Sequence, residues 1–453
     1  MKIQALLSFL IVCSIDAFAQ SSGWTELGSG SNALNANGGI YSICTDSAGN
    51  VYASGDFVDD SGYFYVAGWD GVRWNELNDS TNGLNENYSI NDICADDVNI
   101  YAASSVLGIH GHVAEYSSFS WDTLPSLKYI GMNDPLIYSL CTDRSGNLYA
   151  GGDLFDSSNI SCIIKWDAVI STWIKIPISI PDYTLNASIF SISADDSGNI
   201  YAAGSGFDTT SYNVMKFDGA KWNWLGSGSN ALKANNYISS LCTDEHGNVY
   251  AAGEFTNGSG NEYVAKWDGL TWKELGGSNS LKANNYIKSI CIDGFGNVYA
   301  AGYFTNSSGN EYVACWDGMN WSELGGGSNA LNANSGIYSI CADGKENIYA
   351  AGWFTDPSGF RYVAKYHVLT GIDDLKNEDD FSIYPNPAKE IVSIYVKNSM
   401  AVEEVSIYNQ TSQKVFYGNP AKTTLDVSGL QKGMYFIEVQ TKSGKSRKKL
   451  VID

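Results

Sequence analysis

The sequence predicts an all-β protein: seven four-stranded units closed into a ring, followed by a small sandwich of strands. Three observations carry that prediction. One pattern returns about every 50 residues between Trp24 and Tyr366. Its segments are short runs of Ile, Val, Tyr and Trp bounded by Gly, Asn and Asp, which is strand chemistry rather than helix chemistry. Near residue 371 the pattern stops and the charge balance changes with it.

In chain order, the N-terminus comes first. Lys2 precedes an apolar run from Ala5 to Cys13, and the small-x-small site Ala17-Phe18-Ala19 follows. Residues 1–19 therefore read as a secretory signal peptide, with cleavage expected after Ala19. Lipidation at Cys13 does not fit, because the bulky Val12 stands where a small residue is required. No later stretch approaches the roughly 20 apolar residues that span a bilayer, so no transmembrane segment is expected.

The repeat occupies residues 20–371. Its first segment opens at Trp24, Trp74, Trp121, Trp173, Trp222, Trp272 and Trp321, and its second at Ile40, Ile90, Ile137, Ile189, Ile238, Ile287 and Ile337. An aspartate closes that second segment every time: Asp46, Asp96, Asp143, Asp195, Asp244, Asp293 and Asp343. Gly-Asn pairs such as 247–248 then supply a tight hairpin, and a tyrosine, Tyr52 to Tyr349, marks the third segment. Asp-Gly pairs such as 268–269 make the next hairpin. The segment at residues 24–27 stands alone at the start, while the last unit ends at Tyr366 with no Trp segment after it. If the N-terminal strand completes the last unit, seven units have four strands each and no sheet edge is left open. That is a seven-bladed β-propeller, and the repeat resembles the bacterial propeller families with kelch-like and WD-repeat-like blades. The resemblance implies a fold and says little about a ligand.

Residues 372–380 are polar, acidic and aperiodic, as a linker would be. Residues 381–453 carry alternating runs at 392–396, 405–408, 424–427 and 435–439, then a basic end from Lys445 to Lys449. A small Ig-like β-sandwich is the expectation. Tyr384-Pro385-Asn386-Pro387-Ala388, the run from Leu425 to Leu430, Gly433-Met434-Tyr435 and the closing Lys448-Lys449-Leu450-Val451 resemble the type A C-terminal sorting domain of the type IX secretion system of Bacteroidetes-type bacteria. The resemblance implies that Tyr384, Pro385, Asn386, Pro387, Gly433, Tyr435, Lys448 and Lys449 belong to a sorting motif. It further implies the type IX machinery as a partner, and secretion or display at the outer cell surface after passage through the periplasm.

Charge narrows the function classes. Of the 49 acidic and 27 basic side chains, residues 21–371 hold 37 and 15, whereas residues 372–453 hold 11 of each. An acidic ring of this kind repels polyphosphate, so nucleic acid is not an expected partner. The repeated aspartates suit Asx-type turns. Calcium is the alternative, although no loop of alternating acidic ligands surrounds any of them. Otherwise no cofactor, metal or catalytic residue is expected. Cys44, Cys94, Cys141, Cys242, Cys291 and Cys341 occupy one repeat position, so rotation keeps them apart and buried free thiols are expected there, while Cys162 and Cys315 sit near the third strands of two blades as core-facing or edge residues. His110 and His112 have the spacing of half a metal site, but they align with a loop and lack a third ligand.

In such a ring the loops before each second segment and after each third share one face. They are rich in Asn, Ser and Tyr, and Asn37, Asn235, Asn284 and Asn334 mark the expected ligand face. The expected function is an exported binding protein for a glycan or a protein. The alternatives are a polysaccharide hydrolase or lyase, which would need unlike groups from different blades, and a structural adhesin or spacer.

Overall fold

The computed structural model describes residues 23–452 except 78–83, 85, 107–108, 133–134, 181–182, 185–186, 206–211, 345–346, 368–380, 385, 387, 397–401, 410–413, 419–423 and 442–443. The expected signal peptide and linker therefore lie outside the described residues. The chain divides into two compact units, Met1–Val368 and Leu369–Asp453.

Blade five states the plan of the first unit. Ile238–Thr243, Val249–Gly253, Ala265–Trp267 and Trp272–Glu274 pair antiparallel in chain order. The second strand, Val-Tyr-Ala-Ala-Gly, is buried throughout, because it lies between two neighbouring blades, and small alanines let those blades approach. Six further sheets repeat the plan. In the seventh, Gly23–Glu26 pairs with Ala364–His367, with Trp24 opposite Tyr366. The chain's first described strand thus completes its last blade, and the innermost strands touch in an unbroken ring from blade one to blade seven and back to blade one.

Two sets of hydrogen bonds tie blade to blade. At the rim, six of the seven leading Trp residues donate their indole N–H to a carbonyl of the preceding blade, as Trp272 does to Leu225 O at 2.7 Å and Trp24 to Leu324 O at 3.0 Å. Around the axis, a side-chain oxygen of each innermost strand accepts from a backbone N–H of the next blade. Ser42, Ser139, Ser191, Ser240, Ser289 and Ser339 receive Ile93, Ile192, Leu241, Ile290, Ile340 and Ile43 at 3.0–3.3 Å. Blade two alone uses a carboxylate, Asp92, which receives Leu140 N at 2.7 Å.

Blade two departs from the reading of its sequence. The segment containing His112, read as a loop, is part of a nine-residue strand, Ile109–Ser117, against three residues for the matching strand of blade five. Blades three and four are joined through an extra two-residue hairpin, Ser179–Ile180 with Tyr183–Thr184.

The second unit forms two sheets: Phe381–Tyr384, Ile391–Val396 and Thr424–Asp426 in one, Lys414–Gly418, Val402–Asn409, Gly433–Thr441 and Gly444–Ile452 in the other. Val392, Ile394, Val405, Ile407, Ile437, Val439 and Leu450 fill the core between them. The strand at 414–418 has no counterpart in the sequence reading, and the basic end is itself a strand.

Candidate functional site

The site is built by an irregularity repeated in every blade. In blade one the register of the innermost strand slips between Ile40 and Ser42, so Tyr41 bulges out of the ladder. The same slip takes Asn91, Tyr138, Phe190, Ser239, Lys288 and Tyr338 out of the ladder at the axis. A bulge re-aims the extra residue, and these seven side chains ring one mouth of the channel.

A second ring stands beside the first. The residue after the terminal glycine of the second strand donates its N–H back to the loop before the innermost strand: Asp56 to Gly39 O at 2.8 Å, Glu254 to Tyr237 O at 2.9 Å, Tyr303 to Tyr286 O at 3.1 Å and Trp353 to Gly336 O at 3.0 Å. The approach is so close that a Cβ on Gly253 would lie 2.1 Å from Tyr237 O. Asp56, Glu254, Tyr303 and Trp353 are thereby held at the mouth. Trp353 and Tyr303 then lie over Gly39 and Gly336 of the following blade, where a Cβ would come within 2.6 and 2.7 Å of their rings.

Eight aromatic rings result, in two arcs. Tyr286, Tyr303, Tyr338, Tyr41 and Trp353 follow one another with centroids 4.4–6.5 Å apart. Tyr138, Phe190 and Tyr237 form the other, at 5.9 and 5.6 Å. Tyr303 donates a short hydrogen bond to the Tyr338 hydroxyl.

Charged groups fill the gaps. Ser89 donates to Asp56 at 2.7 Å, Tyr138 to Asp153 at 2.8 Å and Asn236 to Glu254 at 3.3 Å, while Asp153 Oδ1 is closed to solvent and has no donor. Burial and then the Asp56 carboxylate push the Tyr41 hydroxyl up to about 12. Lys288 and Asp92 stand on the innermost strands of blades six and two, three blades apart in the ring and so on opposite sides of the axis, with the Lys288 ammonium over the Tyr338 ring at 6.0 Å. Lys288 is exposed and Asp92 half-buried, with protein packed around part of each side chain. Loss of bulk water depresses the Lys288 ammonium, against the pull of Glu254 and Asp92. It also pushes Asp92 up to about 6, against the bonds from Ser42 at 2.6 Å and Leu140.

The residues singled out in the sequence sit around this mouth or away from it. Asn37, Asn235, Asn284 and Asn334 are on the same face, but both ends of each amide are engaged. Asn235 accepts from Thr256 N at 2.8 Å and donates to Thr256 Oγ1 at 3.0 Å, Asn284 and Asn334 repeat this on Thr305 and Thr355, and Asn37 grips Val58 through its N–H and carbonyl. They brace the loops that carry the rings. The seven aspartates lie at the other end, where Asp244 takes Asn248 N, Asn248 Nδ2 and Tyr250 OH at 2.9, 2.7 and 3.1 Å. Asp46, Asp143, Asp195, Asp293 and Asp343 do the same, and Asp96 closes a turn one residue shorter. That short turn borders a groove of about 760 Å³ lined by Asp96, Asp97, Val98, Asp143 and Arg144. His112 is part-buried against Glu86, Nε2 to Oε1 2.5 Å. All eight cysteines among the described residues are free thiols, and the six repeat-equivalent ones fall in six different blade interfaces.

Sequence reasoning missed the aromatic mouth. A signal for part of it was available: the residue after the repeated Ile is Tyr, Asn, Tyr, Phe, Ser, Lys and Tyr in successive blades, between that Ile and a position that is Ser in six blades of seven.

Comparison with known proteins bears on both units. Residues 382–453 match the secretion system C-terminal sorting domain family. The tail is a type IX secretion sorting domain. It directs this protein to the cell surface or the medium through that secretion system. Within the sorting domain, Asn386 receives Val451 N at 2.8 Å and Ala388 pairs with Ile452, tying the first strand's exit to the last strand. Tyr384 is 70% exposed. Tyr435 donates to Gln431 O at 2.8 Å, and Gly433 has a φ of 151°. Lys448 and Lys449 pair with Ile437 and Phe436, while Pro385 and Pro387 lie outside the described residues.

No curated protein matches the chain in sequence. Among solved structures, PorZ, a surface component of the type IX secretion system of Porphyromonas gingivalis, is 15% identical over 89% of this chain and 58% of its own, with a TM-score of 0.49. An extracellular domain assigned to a hybrid two-component system of B. thetaiotaomicron is 14% identical over 92% of this chain and 51% of its own, at 0.50. A chain of the mitotic checkpoint complex is 10% identical over 81% and 98%, at 0.50. The chain spans only 58% and 51% of the first two, and at these identities the likeness is one of fold. Among the described residues no helix is long and apolar enough to cross a membrane.

Proposed function

We propose that the propeller is an exported glycan-binding module and that its axial mouth is the binding site. The observation that carries this reading is the pair of aromatic arcs. Elsewhere in the ring aromatic residues recur at equivalent positions and pack blade against blade, whereas these eight gather around one opening. Sugar rings offer C–H faces for stacking and hydroxyl edges for hydrogen bonds, and aromatic planes interleaved with Asp56, Asp153, Glu254 and Lys288 meet both needs. An exported protein also encounters polysaccharide at the cell exterior.

The full chain applied to a glycan array, with a parallel screen for polysaccharide breakdown, tests the reading. Retention without new chain ends, lost in Tyr303→Ala and Tyr338→Ala, is the expected result. Unlike carboxylates from four blades do stand in or near the mouth, so release of product from any polymer would make the protein a hydrolase or lyase. An array without a hit would leave a protein-binding or purely structural ring.

A further inference from the structure

The mouth's charge and depth narrow what enters it, on the footing that it is a sugar site. Four carboxylates, Asp56, Asp92, Asp153 and Glu254, stand against two cations, and both cations are already engaged. Lys288 lies in the fields of Glu254 and Asp92, and Arg361 lies over the Trp353 ring at 5.1 Å while donating to Asn37 O at 3.2 Å. A ligand carrying carboxylate or sulfate would therefore meet a field of the wrong sign, reinforced by an acidic ring. An uncharged ligand meets no such barrier.

Depth is set by the strand. The bulged aromatics come first at the mouth, and the serine ring, with Asp92 in it, lies one residue further along. Six blades show that serine suffices to bridge neighbouring blades there. The carboxylate in blade two is thus not needed by the fold, and a local departure of this kind is where function concentrates. Lys288 stands at the varying bulge position, which blade five fills with Ser239, and is the one cation that position carries. A carboxylate only accepts and an ammonium only donates, so together they suit the hydroxyls of a sugar, which do both.

We propose that the aromatic collar admits the end of an uncharged sugar chain along the propeller axis, and that Asp92 and Lys288 read the hydroxyls of its terminal ring. The rings surround the axis, so an end can enter among them past Lys288 in the collar to Asp92 one residue further along, whereas a chain lying across the mouth would not reach Asp92.

Titration calorimetry of the full chain against neutral oligosaccharides, and against the same lengths carrying uronic acid, tests this. Neutral chains are expected to bind with little dependence on salt, and the uronate series at least tenfold more weakly. Asp92→Ser and Lys288→Ser, each introducing a residue that another blade already holds there, are expected to weaken neutral binding about tenfold, the loss of one charge-assisted hydrogen bond. Melting curves check that both variants stay folded. Capping both ends of the oligosaccharide is expected to abolish binding. Tighter binding of the uronate series overturns the charge argument, and undiminished binding by both serine variants, or of doubly capped chains, overturns the end-on reading. In each of those cases loss of binding in Tyr303→Ala leaves the sugar site standing. If no oligosaccharide binds at all, the sugar site falls as well.

Discussion

Blades two and five follow one plan and part at four places. Blade five ends its second strand in Gly253, turns through Asp244 to Asn248, carries Ser240 at the axis and has a three-residue third strand. Blade two has Ser104, a turn one residue shorter, Asp92 and a nine-residue strand. Both remain four-stranded and both keep the bulge. The bulge and the blade-to-blade bonds are therefore the fixed part of the design, and the chemistry around them is free to vary. What a blade contributes to the mouth is decided by a few side chains set on a scaffold that does not change.

The largest expected effect breaks the bulge of the regular blade. In Gly253→Ser the new Cβ would sit 2.1 Å from Tyr237 O, and backbone against backbone leaves no soft neighbour to yield. A loss of about 3 kcal/mol is expected in urea unfolding. The mirror change, Ser104→Gly, removes a side chain that blade two already accommodates, with Oγ 3.4 Å from Tyr88 O. It is expected to cost about 1 kcal/mol, mainly through chain entropy. Equal losses would mean that the two bulges are not the same device.

The turns come next. Asp244→Ala strips acceptors from Asn248 and from the largely buried hydroxyl of Tyr250, and about 2 kcal/mol is expected. Asp96→Ala is expected to cost about 1 kcal/mol, because Asn99 Nδ2 already reaches the Tyr101 hydroxyl at 3.2 Å and the tyrosine keeps a partner. Thermal melts of the pair, read side by side, would refute this account if blade two suffered more.

Much of the fold was legible because a repeat multiplies weak signals. Seven aspartates, each six residues after the repeated Ile, mark the hairpin, and a lone strand at the start with a three-stranded unit at the end predicts closure of the ring, which Trp24 opposite Tyr366 fulfils. The mouth was not legible by the same route. Tyr41, Tyr138, Phe190 and Tyr338 occupy an innermost-strand position that does not repeat, and averaging over blades erases them. The four loop asparagines drew the eye because they do repeat, and repetition is what marks them as braces. Asp92 was hidden for a related reason, standing in a serine position within a run that still reads as a strand. His112 was misplaced because blade two extends a strand where its siblings have a loop, a tertiary choice that local sequence does not encode. In the sorting domain, Lys414–Gly418 is a short edge strand paired, among the described residues, with Val402–Asn409 alone, too brief to announce itself.

The smallest expected effect is the most informative about the axis. Asp92 titrates near 6 in the folded chain, above an ordinary value of 3.8, because it has lost bulk water. Between about pH 4 and 6 the folded chain therefore holds a proton that the unfolded chain has released, so Asp92 makes stability fall as pH rises through that window, and the whole penalty is present at pH 7. Asp92→Ser restores the oxygen that the other six blades use to receive the next blade's N–H, and removes the carboxylate. A gain of about 1 kcal/mol at pH 7 is expected, as for other substitutions toward a repeat consensus, shrinking toward zero at pH 4. The reverse change, Ser240→Asp in blade five, is expected to lower stability at pH 7 by a similar amount and to create the same pH dependence where none existed. Paired melting curves at pH 4 and pH 7 decide it. If Asp92→Ser gains nothing at pH 7, then Lys288 across the axis already compensates the carboxylate, and the two must be treated as one ion pair rather than as a charge that blade two carries at a cost.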